Sequence, residues 1–142
     1  MENEKIDRFF LVEDDNADIL LMKKVIEKTE LSVELIVHKD SVTVVNALRS
    51  YFIGDHPEKP SLVILDLNLP KMSGLELLEN IKKDPFINFI PIMILTTSCA
   101  PHEVKRAYSL GCNFFMNKPI DFSEFVSQMK IFHSFWKNQI RV

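Results

Sequence analysis

Three side chains of different chemistry stand where predicted strands end, and together they suit the transfer of a phosphoryl group. Asp66 closes the apolar run that starts at Leu62, Thr96 closes a second run, and Lys118 follows a third. A carboxylate can act as a nucleophile, and a hydroxyl can donate to a phosphoryl oxygen. Because phosphoryl transfer depends mostly on positioning and charge neutralisation, the lysine completes a plausible set.

An acidic triplet, Glu13-Asp14-Asp15, follows the first predicted strand. In a doubly wound sheet the ends of the first and third strands can lie side by side, which would bring these acids near Asp66. Two carboxylates about 4 Å apart repel by roughly 4 kcal/mol at an effective dielectric constant of 20. A divalent cation would relieve that repulsion, and oxygen ligands favour Mg²⁺. Alternatively, the triplet only caps the first helix.

Apolar runs alternate with amphipathic segments five times along the chain. This alternation predicts an α/β fold, in which a five-stranded parallel sheet is covered by helices on both faces. Ser41 is a candidate N-cap of the second helix, and Gly111 is the expected residue after the fourth. The predicted strands are 9–12, 35–37, 62–66, 92–95 and 114–116, and the predicted helices are 16–28, 41–52, 73–84, 101–110 and 121 to about 139.

Length and composition limit the class of protein. With 142 residues and 46% hydrophobic residues, the chain fits one domain with one core. Its net charge of -3 argues against binding to nucleic acid or to an anionic membrane surface. Cys99 and Cys112 lack a CxxC spacing, so zinc is not expected, and a reducing, cytoplasmic setting fits.

The strand-end motifs resemble those of the receiver domain of two-component response regulators. The matching segments are Val12-Glu13-Asp14, Leu65-Asp66 through Gly74, Leu95-Thr96-Thr97 and Asn117-Lys118-Pro119. The resemblance spans essentially the whole chain and implies the flavodoxin-like strand order 2-1-3-4-5. It also implies a single receiver domain over residues 1–142, with a core of about 6–138 and no output domain.

The resemblance implies roles for four residues around a phosphorylation site. Asp66 matches the aspartate that accepts a phosphoryl group from a phosphohistidine of a sensor kinase. Asp14 matches the acidic Mg²⁺ ligand, and Asn68 matches the position whose backbone carbonyl completes the metal site. Glu13 matches a second acid that acts through water. The protein is then a signalling module that promotes its own phosphorylation and dephosphorylation only.

Three further residues match the parts of the family that respond to the phosphoryl group. Thr96 and Phe115 correspond to the switch pair, and Lys118 to the lysine that neutralises phosphoryl oxygens. Phosphorylation would switch the face formed by the fourth and fifth helices. The bond between Lys118 and Pro119 matches a family cis peptide.

The last predicted helix carries two apolar stripes. Ile131 and Phe135 lie opposite the main stripe and are expected in a homodimer interface along the fourth and fifth helices. The Phe-Trp pair near the end resembles small stand-alone regulators that work with phytochrome-type kinases. The main, core-facing stripe comprises Phe122, Phe125, Val126, Met129, Phe132, Trp136 and Ile140.

Three other functions remain as alternatives. A haloacid-dehalogenase-like phosphatase also uses a strand-end Asp with Mg²⁺, but it places a general acid where this chain has Asn68. A flavodoxin-like cofactor binder needs a phosphate-binding loop after the first strand, where the acidic triplet would repel phosphate. A receiver-like interaction module that is never phosphorylated is the third alternative.

Overall fold

Runs rich in Val, Ile, Leu and Phe form five short strands, and the amphipathic segments between them form helices. The computed structural model describes residues 6–54 and 56–139. The elements in chain order are β1 (Asp7–Val12), α1 (Asn16–Thr29), β2 (Val33–His38), α2 (Val44–Phe52) preceded by a 3-10 turn (Ser41–Thr43), β3 (Leu62–Leu65), α3 (Gly74–Lys83), β4 (Ile92–Thr96), α4 (Pro101–Ser109), β5 (Phe114–Asn117) and α5 (Phe122–Gln139).

The five strands form one parallel sheet in the order β2-β1-β3-β4-β5. The chain order reverses between β1 and β3, which makes this the switch point where open α/β sheets bind ligands. The register aligns Val12 with Leu65 and Thr96 with Asn117. The residues that follow these strands therefore meet at one edge of the sheet. The predicted fold class and strand order are confirmed.

The sheet has an apolar core on each face. Along β3, which is fully buried, alternate side chains enter opposite cores. Val63 and Leu65 pack with residues of α2, α3 and α4, whereas Leu62 and Ile64 pack with residues of α1 and α5. Because β3 is buried on both faces, the residue that follows it is held against a rigid support. No helix within the described ranges is long and apolar enough to cross a membrane.

Helix ends follow the local chemistry of the sequence, with one correction. Asp15 caps α1 and Ser73 caps α3, and Gly111 after α4 has a φ of +106°, where glycine is favoured. The prediction of Ser41 as an N-cap was wrong. Asp40 caps the 3-10 turn through Oδ1, because the Ser41 hydroxyl instead donates to the carbonyl of Pro70 at 2.9 Å.

Helix α5 buries the expected stripe, except at its ends. Phe122 is 41% exposed, contrary to its predicted place in the core, because it is the first residue of the helix. Ile140, the last predicted member, lies outside the described residues. Ile131 and Phe135 are 69% and 52% exposed, as expected of the opposite face. The buried members are Phe125, Val126, Met129, Phe132 and Trp136.

Candidate functional site

Asp66 follows β3 directly, and the two oxygens of its carboxylate have different surroundings. Oδ1 accepts a hydrogen bond from the Thr96 hydroxyl at 2.8 Å and another from the backbone N–H of Asn68 at 3.0 Å. Oδ2 faces the ammonium group of Lys118 at 3.7 Å. The carboxylate is thus fixed through one oxygen, while the other lies beside a positive charge.

Lys118 is shared by three carboxylates from three elements. Its Nζ lies 3.7 Å from Asp66, 3.8 Å from Glu13 and 3.8 Å from Asp18. The Lys118 side chain is only 12% exposed, so these charges interact with limited screening by water. One ammonium group cannot balance three carboxylates, and the cluster therefore keeps a negative charge that a cation would neutralise.

The acidic triplet divides into three different roles. Asp15 is the cap of α1, since its Oδ1 accepts from the N–H groups of Ala17 and Asp18 at 2.8 and 3.1 Å. Glu13 is buried, and its Oε2 accepts from the N–H groups of Asp14 and Asp15. Burial raises the pKa of Glu13, against the lowering effects of the Asp15 N–H and of Lys118. Asp14 is exposed at the same edge.

Thr96 is the last residue of β4 and is completely buried. Besides donating to Asp66, its hydroxyl accepts the backbone N–H of Ser98 at 3.2 Å. The hydroxyl thus already binds Asp66 before any phosphoryl group is present. The Thr96 carbonyl accepts the N–H of Lys118 at 2.8 Å, which ties the end of β4 to the residue after β5.

A cleft of about 1080 Å³ separates the end of β5 from one side of α5. Phe115 is half-buried, packs against the core and lines this cleft. Ile131 and Phe135 line it from the helix, and Lys118 lies at its edge toward Asp66. The predicted interface residues and the predicted switch aromatic therefore share one surface, and that surface adjoins the acidic site.

The predicted metal ligands are consistent with Mg²⁺ by the chemistry of their donors. In the described part of the chain, no group of three or more His, Cys, Asp or Glu side chains is arranged as a metal site. The predicted direct ligands are fewer, namely the carboxylates of Asp14 and Asp66 and the carbonyl of Asn68. Mg²⁺ commonly uses only one or two carboxylates and keeps several waters. The excess negative charge around Lys118 also favours a cation here.

Two residues that matter at the site were not predicted. Asp18 lies in the first turn of α1, and its position three residues after the triplet was a signal that it could reach the same edge. Gly74 begins α3 against the backbone of Asp66, and a β-carbon there would overlap the Asp66 carbonyl oxygen. Glycine is therefore required for α3 to pack behind the carboxylate.

The peptide bond between Lys118 and Pro119 is trans, like every other bond in the described residues, so the cis bond implied by the resemblance was wrong. For a bond that precedes proline the trans form is favoured by only about 0.5–1 kcal/mol. In this structure the N–H of Lys118 already holds its position through Thr96.

The response regulator receiver domain profile matches residues 9–130, and the chain belongs to that family. Receiver domains of this family are signalling modules that receive phosphoryl groups from sensor histidine kinases in two-component phosphorelays. This membership leaves the phosphatase, the cofactor binder and the unphosphorylated module without support.

The relatives and solved structures that resemble this chain are response regulators. Response regulator Rcp1 of Synechocystis sp. is 33% identical over 126 residues, which cover 89% of this chain and 86% of Rcp1. The crystal structure of its Mn²⁺-bound form has a TM-score of 0.74 at 30% identity and covers 94% of this chain and 96% of that one. The phosphorylated cyanobacterial phytochrome response regulator RcpA gives a TM-score of 0.77 at 31% identity, with coverages of 93% and 94%.

Proposed function

We propose that Asp66 is the residue that accepts the phosphoryl group from a phosphohistidine of a sensor histidine kinase. The observation that carries this proposal is the asymmetry of its carboxylate. Oδ1 is held by Thr96 and by the N–H of Asn68, whereas Oδ2 lies 3.7 Å from Lys118. Oδ2 is thus the oxygen that is oriented for attack, with a positive charge beside it.

The transfer needs one bond to form and one to break. Oδ2 of Asp66 attacks the phosphorus, and the bond between phosphorus and the histidine nitrogen breaks, so that its electrons return to the imidazole. The product is an acyl phosphate on Asp66. Lys118 stabilises the charge on the phosphoryl oxygens, and the Thr96 hydroxyl can donate to one of them. Buried, pre-oriented donors of this kind are more effective than water.

The divalent cation of the family fits the acidic edge of the sheet. We assign Asp14, Asp66 and the Asn68 carbonyl as its direct ligands and Glu13 as a ligand through water. Mg²⁺ would supply neutralisation of the phosphoryl charge. Glu13 and Asp18 hold Lys118 beside Asp66, so that the lysine is in place before the phosphoryl donor arrives.

Thr96 and Phe115 are proposed as the pair that reports phosphorylation. Thr96 must exchange its bond with Oδ1 for one with a phosphoryl oxygen, and Phe115, which is half-buried at the cleft, would turn inward to fill the space that Thr96 leaves. The surface that changes would be the cleft between β5 and α5, which belongs to the face of α4 and α5.

Phosphorylation by acetyl phosphate tests this assignment. With Mg²⁺, intact mass spectrometry should show the parent gaining one phosphoryl group and the Asp66→Asn variant gaining none. Asp40→Asn is a matched control, because Asp40 also follows a strand at this edge of the sheet and Asn can keep its capping role. Equal phosphorylation of the parent and the Asp66 variant would contradict the proposal.

A phytochrome-type kinase is the proposed partner, on the strength of the similarity to RcpA. We propose a homodimer through the face formed by α4 and α5, where Ile131 and Phe135 are exposed on α5 and line the cleft. Sedimentation should show an Ile131→Asp/Phe135→Asp variant shifted to monomer, and a Leu20→Asp control, which changes an exposed residue of α1, unchanged. A variant that sediments like the parent at every concentration would exclude this interface.

The remaining proposals concern the domain organisation, the partners that are disfavoured and the location in the cell. The high coverage of Rcp1 and RcpA supports a single receiver domain over residues 1–142. As a signalling module of this family, it would promote only its own phosphorylation and dephosphorylation. The net charge of -3 disfavours nucleic acid and anionic membranes as partners. Cys99 and Cys112 are free thiols, which suits the reducing cytoplasm.

A further inference from the structure

A continuous chain of hydrogen bonds leads from Asp66 to helix α4. The Thr96 hydroxyl donates to Asp66 Oδ1 at 2.8 Å and accepts the N–H of Ser98 at 3.2 Å. The Ser98 hydroxyl in turn donates to Glu103 Oε1 at 2.7 Å. Glu103 lies in the first turn of α4. Ser98 therefore holds the switch threonine through its backbone and α4 through its side chain.

We propose that the bond between Ser98 and Glu103 is a latch that stabilises the unphosphorylated arrangement of Thr96, with Glu103 as a positioning residue. The bond is short and its acceptor is a carboxylate, so it belongs to the stronger class of hydrogen bonds. It spans a loop in which Thr97 and Cys99 are exposed. Polar contacts therefore contribute much of what holds this loop in place.

The latch opposes phosphorylation for a geometric reason. A hydroxyl has one proton to donate, and Thr96 uses it on Asp66 Oδ1. To donate to a phosphoryl oxygen instead, the hydroxyl must move, and it then loses the Ser98 N–H unless the loop moves with it. The loop can follow only if the bond from Ser98 to Glu103 stretches or if α4 shifts. The latch thus raises the free energy of the phosphorylated arrangement, and it transmits the movement of Thr96 to α4.

This inference rests on the proposed function, and beryllofluoride with Mg²⁺, which mimics a phosphoryl group, tests both. The fraction of protein bound is followed from amide peaks in ¹H–¹⁵N NMR spectra of the full chain. Removing the latch with Glu103→Ala should lower the beryllofluoride concentration at half-saturation by about ten- to hundredfold, the size expected for one hydrogen bond to a charged group. The amide shifts that binding causes in the first turn of α4 should shrink at the same time.

Three variants separate the latch from a general effect of charge. Ser98→Ala changes no charge and should reproduce the effect of Glu103→Ala, and the double variant should add nothing further. Glu103→Gln keeps an acceptor oxygen and should restore most of the parent's behaviour. Glu124→Ala is the matched control, because Glu124 also lies in the first turn of a helix, α5, and its carboxylate accepts a hydrogen bond from Gln128 of the same helix.

The outcomes distinguish the two proposals. Failure of beryllofluoride to bind the parent would contradict the proposed function. Binding to the parent with the same half-saturation and the same α4 shifts in Glu103→Ala would overturn the latch alone. An equal gain in affinity in Glu124→Ala would also overturn it, since the effect would then follow charge rather than the bond to Ser98.

Discussion

Strand β1 has a charged group at each of its ends, and the two ends solve the problem of buried charge differently. At its start, Asp7 is 2% exposed and bonds His133 of α5 at 2.9 Å. Just after its end, buried Glu13 lies in the cluster where Lys118 faces three carboxylates. The first arrangement bonds a buried acid to a histidine of the last helix and so joins two elements. The second leaves negative charge in excess, which makes it suitable for binding a cation and a phosphoryl group.

The largest expected effect on stability comes from breaking the bond between Asp7 and His133 at the start of β1. Replacing His133 with Ala should lower the free energy of unfolding by about 3 kcal/mol, because the buried carboxylate of Asp7 loses a close partner. Urea denaturation measures the change. His102→Ala, at an exposed position of α4, is the control and should change stability by less than about 0.5 kcal/mol. Equal stabilities of the two variants would show that the pair is not a structural link.

The carboxylate cluster around Lys118 depends on the close packing of α3 against the backbone of Asp66. The substitution Gly74→Ala would disrupt this packing. The new β-carbon would overlap the carbonyl of Asp66, so we expect a loss of about 2 kcal/mol in stability and slower phosphorylation by acetyl phosphate. Gly54→Ala is the comparison, because Gly54 has a φ of +98° but open space around it. Its cost should be about 1 kcal/mol with normal phosphorylation. Normal phosphorylation of Gly74→Ala would show that α3 need not approach Asp66 closely.

Mg²⁺ should stabilise the folded protein by binding to the carboxylate cluster around Lys118. The bond between Asp7 and His133 has no such dependence on a cation. A concentration ten times the dissociation constant would add about 1.4 kcal/mol, measured as a rise in Tm. Asp14→Asn should lose this increment. Asp15→Asn should keep it, since Asn also caps helices and Asp15 serves as the cap of α1. An unchanged increment in the Asp14 variant would remove Asp14 from the ligand set.

The smallest expected effect is a pH dependence from Glu13. Burial raises its pKa in the folded state, so the folded protein binds a proton more readily than the unfolded chain does. The favourable contribution to stability is complete below the ordinary pKa of 4.5 and is lost as the pH rises through the folded value. Glu13→Gln should therefore gain stability relative to the parent as the pH increases toward neutrality. A constant difference between pH 4 and 7 in urea titrations would contradict this origin.

The sequence predicted the residues that end strands better than it predicted those that reach the site from elsewhere. Asp66, Thr96 and Lys118 were found because a buried strand leaves little choice about where its last residue lies. Asp18 was missed because its contact with Lys118 depends on how α1 is placed against the sheet. The role of Gly74 was missed for the same reason, since only the packing of α3 reveals the close approach.

Polar contacts between residues far apart in the chain also could not be predicted from the sequence. Asp7 and His133 are separated by 126 positions, and neither has a motif around it that would predict the bond. Helix α5 was predicted well along its length, because its apolar periodicity is strong, but not at Phe122, where the helix begins. Periodicity describes the direction of a side chain and not whether a neighbour is present to cover it.

The bond between Asp7 and His133 has a consequence for how the chain assembles during synthesis. Phe9 on β1 packs against Trp136, its ring centroid 5.5 Å away, so the first strand made is covered by the last helix made. A ribosome-bound chain that ends before α5 therefore leaves part of one core face of β1 exposed to water, since α1 covers only the rest of it. Folding of this domain should complete only when nearly the whole chain has emerged, and nascent chains lacking α5 should be clients of chaperones.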